Sequence, residues 1–356
     1  MCGLFGFHCY GSKRPNGIKD LLQVLAVNSM ERGMDATGIA FINKGKMEIV
    51  KANVPASKLK YSLPKGCKSV MGHTRRTTQG HAKDNYNNHP FSGSAKGKEF
   101  AFAHNGVLDN EFEVKDTYKL PFTKILTDSY VACQLTEALG DLSLKGLKKV
   151  GETVEGMFAF TYLDVDGNLS IVKNDSPFVI AHFSKLKMYV YASTREILID
   201  SLMSYVKTFP VLVDKLMESG DDVEFIEPNA GTIMQINKSG QISSTTFKPI
   251  ERMYWNPKYD IAGYGRQSKS SYDKMSYDAY DKYDYHHEAY IDEEEKQYME
   301  SLRREALFYI TDDDFSLFLK NGYDAYLIED MLFNGELEME VSLLKKYESY
   351  EKENAK

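Results

Sequence analysis

Short runs of β-branched and aromatic residues recur along the first 250 positions of the chain: Leu4–Phe7, Gly38–Ile42, Phe100–Ala103, Met157–Leu163, Phe178–Ala181, Met188–Ala192 and Gly231–Ile236. Runs this short, separated by Gly, Asn and Asp, predict strands. Asp164-Val165-Asp166-Gly167-Asn168 predicts a hairpin turn between two of them. Other stretches follow a helical period. Asn16–Arg32 places Ile18, Leu21, Leu22, Leu25 and Val27 on an apolar face, with Asn16 as its cap. Asp128–Leu139 carries Val131, Leu135 and Ala138, and Thr194–Val206 is a third candidate. Strands outnumber helices, and their spacing is too irregular for repeating βαβ units, so the pattern predicts an α/β or α+β domain.

The pattern changes near residue 250. Tyr-Asp pairs at 259/260, 272/273, 277/278, 280/281 and 283/284 alternate with Ser, Gly and Lys, and aliphatics are few. Little apolar area is available there to offset chain entropy. Residues 251–291 therefore read as an acidic, Tyr-rich flexible linker. From Asp292 the helical period returns, with Leu302, Ala306, Leu307 and Ile310, then Asp312–Phe318, Tyr326–Phe333 and Glu338–Tyr347. Residues 292–356 read as a small helical module, and residues 2–250 as the main domain. Charge marks the same break. The 356 residues carry a net charge of −7, yet 251–356 hold 14 Lys/Arg against 25 Asp/Glu, leaving the first 250 residues positive.

Composition narrows the classes. At 42% hydrophobic and 27% charged the chain is globular, neither collagenous nor disordered throughout. No apolar run approaches the roughly 20 residues that span a bilayer. Met1 is followed at once by Cys2 and Gly3, with no secretory leader pattern. Four cysteines, Cys2, Cys9, Cys67 and Cys133, make no disulfide framework and show no zinc-type spacing. A reducing cytoplasm is the expected location. No metal or cofactor is called for, and neither a membrane nor a nucleic-acid partner is implied.

Cys2 is the most informative residue. Removal of Met1 would give it both a thiol and a free α-amine. An α-amine titrates near roughly 7.7–8.0 and a thiol near roughly 8.5, so the amine can serve as base for the sulfur without a separate His. Alone, such a position is weak. Its companions are Met1-Cys2-Gly3-Leu4-Phe5-Gly6, Glu31-Arg32-Gly33-Met34-Asp35, Gly72-His73-Thr74-Arg75-Arg76-Thr77-Thr78-Gln79-Gly80, His104-Asn105-Gly106 and Leu126-Thr127-Asp128-Ser129. In this order and at these separations they resemble the class II, or N-terminal-nucleophile, glutamine amidotransferase domain, most closely the glutaminase domain of glucosamine-6-phosphate synthase. The likeness covers about residues 2–245. It departs at Arg76, where the family often has Trp, at Gln79, where His is common, and at Ser129-Tyr130, where Thr-Glu is common.

The resemblance implies a four-layer α-β-β-α sandwich and a site. Cys2 would be the nucleophile, with Asn105 and the Gly106 N–H as oxyanion hole. Arg75 would bind the α-carboxylate of free glutamine, with Thr78 in the same loop and Asp128 on the α-ammonium. Arg32 and Asp35 would brace the site as an ion pair, and His73 and His104 would be buried scaffold. His81 and His89, among Asn85, Asn87 and Asn88, read as a surface loop, and Cys9, Cys67 and Cys133 as inert. Asp312-Asp313-Asp314 reads as a helix cap.

No Ser-Gly-Gly-x-Asp-Ser, Gly-x-x-x-x-Gly-Lys-Ser/Thr or phosphoribosyl-diphosphate motif is present. The favoured expectation is a subunit that hydrolyses L-glutamine through a Cys2 thioester and passes ammonia to a separate synthetase or transferase. Two alternatives stand beside it: a hydrolase of another γ-glutamyl amide, and a non-catalytic scaffold of this fold.

Overall fold

β1 (Gly3–Cys9) is buried at all seven positions. A strand with no solvated face needs cover on both sides and partners on both edges. It finds them near the middle of a sheet. The computed structural model describes residues 2–15, 17–208, 223–250 and 293–321, with 323, 328–329, 331–332, 335, 337–342 and 344–345 beyond them. The linker expected over 251–291 and the Asn16 cap lie outside the described residues, as does half of the stretch expected as a helix at Tyr326–Phe333.

Among the described residues there are two antiparallel sheets. The first runs β11 (Val223–Ile226), β9 (Val179–Phe183), β10 (Met188–Ala192), β1, β4 (Ser69–Arg75), β2 (Ala36–Asn43) and β3 (Lys46–Ala52). The second runs β13 (Ile242–Thr246), β12 (Thr232–Ile236), β8 (Leu169–Lys173), β7 (Gly156–Asp164), β6 (Lys98–Leu108) and β5 (Phe91–Ala95). The expected turn at 164–168 joins β7 to β8, with the Asp164 carboxylate accepting from the Asn168 backbone N–H at 2.9 Å. β3 alternates exposed and half-buried residues, as a charged edge strand does.

Three apolar clusters stack these layers. Leu4, Met71, Ala103, Ile171 and Tyr191 fill the space between the sheets. Helices α1 (Ile18–Asn28) and α5 (Arg195–Thr208) cover the outer face of the first sheet, where Leu21, Leu25 and Leu198 meet Phe5 and Phe7. Helices α3 (Ser129–Leu139) and α4 (Leu144–Gly151) cover the second sheet, with Val131, Leu135 and Leu147 against Phe102, Phe158 and Phe160. Each such side chain removed from water contributes about 1.5–3 kcal/mol before entropy is counted. The result is the expected four-layer α-β-β-α sandwich.

The helix expected over Asn16–Arg32 is shorter than its apolar period. α1 ends at Asn28 and tightens into a 3-10 turn over Ser29–Arg32, where the Thr74 hydroxyl donates to the Ser29 carbonyl at 2.8 Å. Gly33 follows because a Cβ there would lie 2.3 Å from the Arg75 carbonyl carbon. Past α2 (Glu111–Thr117) and the sandwich, α6 (Glu293–Ala306) and α7 (Asp312–Lys320) form a separate small core around Leu302, Phe315 and Phe318. The cap of α7 is Thr311, in a reciprocal capping box with Asp314, so the acidic run fills the first turn and does not itself supply the cap. Among the described residues no helix is long and apolar enough to cross a membrane.

Candidate active site

Register brings the scattered motifs together. Gly3 of β1 pairs with Thr74 of β4, and Ala36 of β2 pairs with Arg75. The pairing therefore sets Cys2, the residue before β1, level with Arg75. Its thiol, only partly exposed, lies 3.6 Å from the Arg76 carbonyl. Burial pushes this thiol up from its ordinary value, while the chain's N-terminal charge and Arg75 pull it down.

Arg32, at the end of the 3-10 turn, joins the two sheets at this point. Its Nε donates to the Cys2 carbonyl at 2.8 Å and its Nη2 to Asn105 Oδ1 at 3.4 Å. Asn105, on β6, is fully buried, and its Nδ2 faces the Ser193 hydroxyl at 3.5 Å. That hydroxyl also accepts from the Leu4 N–H at 2.8 Å. Gly106 has φ 143°, and a Cβ there would lie 1.8 Å from the Met157 carbonyl, so no other residue fits the backbone next to Asn105. Asp35 turns elsewhere, accepting from the Thr77 N–H at 2.6 Å. The bracing expected of an Arg32–Asp35 pair is carried by these separate contacts to backbone and amide groups.

The loop after β4 is folded over Arg75. The buried guanidinium donates to the carbonyls of Gln79 at 2.5 Å and Gly80 at 2.8 Å, and to Asn88 Oδ1 at 2.7 Å. With five N–H donors, a guanidinium so held keeps capacity for a carboxylate. Thr78 lies partly exposed in the same loop. Gln79 is buried, and its Oε1 accepts from the Asp128 N–H at 2.6 Å. Asp128 stands at the start of α3, where its carboxylate accepts from the Leu108 N–H at 2.7 Å and the Ser129 hydroxyl at 3.1 Å. Burial raises its pKa above the usual carboxylate range, opposed by those donors and by Arg75. Asp128 and Arg75 both act electrostatically on the Cys2 thiol, so the nucleophile candidate and both charged candidates share one site.

His73 and His104 are buried scaffold as expected. His73 Nε2 contacts the His104 carbonyl at 2.9 Å, and His104 Nδ1 the Ser129 hydroxyl at 2.8 Å. Burial holds each imidazole down to about 3. The Asn-rich segment is not the surface loop its composition predicts. Asn87, Asn88 and His89 are buried, with the His89 ring 4.2 Å from that of His73. Asn88 is buried because it accepts from Arg75 and donates to the Ala82 carbonyl at 2.8 Å. Cys9, Cys67 and Cys133 are buried away from the site. Among the described residues no group of three or more His, Cys, Asp or Glu side chains is placed to hold a metal ion.

Sequence reasoning did not single out Ser193, Asn88 or Gln79 as site residues. Gln79 stood out as a departure from the motif; Ala192-Ser193-Thr194 resembles a later strand segment of the family, without a role for Ser193, and Asn88 was read only as part of a surface loop.

Residues 1–252 match the family described as the class-II glutamine amidotransferases. The glutamine–fructose-6-phosphate aminotransferase [isomerizing] of Fusobacterium nucleatum is 31% identical over 189 residues, covering 51% of this chain and 30% of that protein. Its counterpart in Listeria innocua is 34% identical over 189 residues, with the same coverage of 51% and 30%. The chain thus spans under a third of the length of these curated relatives. The glutamine phosphoribosylpyrophosphate amidotransferase of B. subtilis, solved with ADP and GMP, superposes with a TM-score of 0.53 at 21% identity, covering 69% of this chain and 49% of that one, and shares its fold.

Proposed function

The chain belongs to the class II glutamine amidotransferases, and on that premise we propose that residues 2–250 hydrolyse free L-glutamine to glutamate and ammonia through a thioester on Cys2. The observation that carries this reading is the Arg32 guanidinium, which holds the Cys2 carbonyl at 2.8 Å and Asn105 Oδ1 at 3.4 Å at once. One rigid fork thereby aligns a nucleophile with an amide donor.

Removal of Met1 leaves Cys2 with a free amine. The amine takes the thiol proton as sulfur attacks the glutamine side-chain carbonyl. Negative charge gathers on the carbonyl oxygen, where Asn105 Nδ2 and the Gly106 N–H receive it. The carbon–nitrogen bond breaks, and the amine returns its proton to the departing ammonia. Water then cleaves the thioester, releasing glutamate and regenerating the thiol. Arg75 holds the α-carboxylate and Asp128 the α-ammonium, with Thr78 lining the same loop. This pair selects the free amino acid over a glutaminyl residue within a chain, which has neither charge. Ammonia then passes to an acceptor synthetase or transferase on another chain. The acidic composition of 251–356, set against the positive first 250 residues, supports a docking role for that region. A reducing cytoplasm keeps the thiol available.

The test is covalent. A glutamine analogue bearing an electrophile at its side-chain carbonyl is expected to label Cys2 and not Cys9, and Cys2→Ala is expected to release no glutamate while keeping the wild-type melting temperature. Glutamate release by Cys2→Ala at the parental rate would end the proposal.

A further inference from the structure

Three hydrogen bonds close a ring beside Arg75, through residues outside the motifs that carry the family likeness. The ring joins Lys51 of the edge strand β3 to the 3-10 turn Asn85–Asn87 and to Asn88 behind it. Asn85 Nδ2 donates to the Lys51 carbonyl at 2.8 Å, and Asn88 Nδ2 donates to Asn85 Oδ1 at 3.1 Å. Lys51 Nζ then donates to the Asn88 carbonyl at 2.5 Å, with the ammonium 5.1 Å from the centroid of the Phe91 ring. Lys51 pairs in register with Gly38 of β2, where a Cβ would lie 2.2 Å from the His89 carbonyl oxygen. The missing side chain lets the 88–90 backbone lie against the sheet, within reach of the lysine. One acceptor of Asn88 points out of the ring: its Oδ1 takes a hydrogen bond from Arg75 Nη1 at 2.7 Å.

The fully buried Asn88 amide can stand only one way round. A guanidinium only donates and a backbone carbonyl only accepts, so Oδ1 must face Arg75 and Nδ2 the Ala82 carbonyl, 2.8 Å away. The two ends of the Arg75 fork are therefore held by different bodies. Nη2 is held by the Gln79 and Gly80 carbonyls, in the loop that follows Arg75 itself. Nη1 is held by Asn88, and Asn88 is tied to the sheet through Lys51. A planar fork gripped at both ends has one direction left to aim. A charge aimed beforehand binds its ligand without the cost of ordering at that moment. The lysine stands there against its own electrostatics, since burial and the nearby Arg75 charge hold its amine down to about 8.

We propose that Asn88 is a positioning residue that aims Arg75 at the α-carboxylate of glutamine, and that Lys51 holds Asn88 in place from the sheet edge. The inference rests on the glutaminase reading for its effect on glutamine, though not for the coupling of Lys51 to Asn88. Both residues act through Arg75, so they change binding and leave the chemical step alone.

The experiment uses the full chain and a double-mutant cycle, with circular dichroism to show folding. Asn88→Ala removes the acceptor from Arg75, and the KM for glutamine is expected to rise roughly tenfold, the worth of one hydrogen bond to a charged group, with kcat within about twofold. Lys51→Met keeps the aliphatic stem and removes the ammonium, and a rise in KM of roughly fivefold is expected, again with kcat within about twofold. Both act through one amide, so the double variant is expected to match Asn88→Ala and not to multiply the two factors. The shift in urea midpoint is expected to behave alike, the double variant falling no further than the larger single one. A folded Asn88→Ala with unchanged KM, or with kcat falling as far as KM rises, overturns the positioning role. So do factors that multiply in the double variant. Should Asn88→Ala fail to fold, an unchanged KM in Lys51→Met overturns the proposal by itself. If the parent protein releases no glutamate, the glutaminase reading fails, and urea shifts that add still refute the coupling of Lys51 to Asn88.

Discussion

Replacing Asn105 by Ala separates the chemistry of the site from its stability. In the ground state the side chain makes two long contacts, to Arg32 at 3.4 Å and to Ser193 at 3.5 Å, both near the outer limit for hydrogen bonding. Their loss belongs at the low end of the range for buried partners, about 1–2 kcal/mol. In a domain of this size that lowers the melting temperature by roughly 2–8 °C. The transition state is different. A preorganised oxyanion donor is worth about 2.7–4 kcal/mol, so kcat is expected to fall on the order of a hundred- to a thousandfold with little change in KM. Asn105→Asp makes the control. It still accepts from Arg32 and fits the same space, yet offers a negative oxygen where the donor stood. It is expected to match the parent in melting temperature and to be at least as slow as Asn105→Ala. The assay is glutamate release at saturating glutamine, with circular dichroism to show folding. A folded Asn105→Ala with kcat within threefold of the parent would refute the oxyanion role and the alignment through Arg32.

Two further outcomes are expected. Asp128→Asn should raise the KM for glutamine by roughly thirtyfold, the worth of about 2 kcal/mol of ion pairing. Since burial already raises the pKa of Asp128, removing its charge should leave the melting temperature equal or higher; an unchanged KM would remove Asp128 from the pocket. Stability should also fall with acidity. Unfolded imidazoles take up protons below about pH 6.5, whereas folded His73 and His104 refuse them until about 3, and burial likewise holds His89 well below its ordinary value. The stability of the neutral rings is fully present above about pH 6.5 and is lost as pH falls toward 3. Three excluded protons amount to at most about 4 kcal/mol between about pH 7.5 and 5.5. Asp128 and Glu111, raised by burial, oppose this, since they gain from protonation in the folded state. His89→Phe should remove about one proton from the pH dependence of urea unfolding, and a variant with the parental slope would contradict it.

What could be read from the sequence follows a physical line. Strands carrying period-two or continuous apolar runs were visible, because burial on a sheet demands them; Leu4–Phe7 and Met188–Ala192 lie inside β1 and β10. β4 was not visible as a strand. Ser69-Val70-Met71-Gly72-His73-Thr74-Arg75 is fully buried in the fold, yet half its residues are polar. Its burial is satisfied by distant partners for two of these, Ser29 for Thr74 and the His104 carbonyl for His73, and by the carbonyls of Gln79 and Gly80 in the following loop for Arg75. Such partners are separated by up to 45 residues and leave no local period. The same reason hid Asn88 and Ser193. Motif residues were legible because their types are constrained by chemistry, and their supports were not because several polar types serve equally well.

The site also shows where the fold spends stability on readiness. Burial pulls the Arg75 guanidinium down and the Asp128 carboxyl up, so both charges stand in surroundings that disfavour them. Gly106 sits at φ 143°, a conformation closed to other residues. None of these improves the packing of the sandwich. On the proposed reading each would meet a bound amino acid: Arg75 its carboxylate, Asp128 its ammonium and the Gly106 N–H the developing oxyanion. Arg32 and Gln79 belong to a second tier: Arg32 holds the Cys2 carbonyl and Asn105 with one side chain, and Gln79 holds Arg75 through its main-chain carbonyl and the Asp128 N–H through its side chain. On this view, substitutions in the first tier should slow the enzyme or weaken glutamine binding while sparing the fold. Substitutions in the second tier should do both kinds of damage, and Asp128→Asn set beside Arg32→Leu is the pair that tells the tiers apart. A melting temperature lowered more by Asp128→Asn than by Arg32→Leu would invert the order argued here.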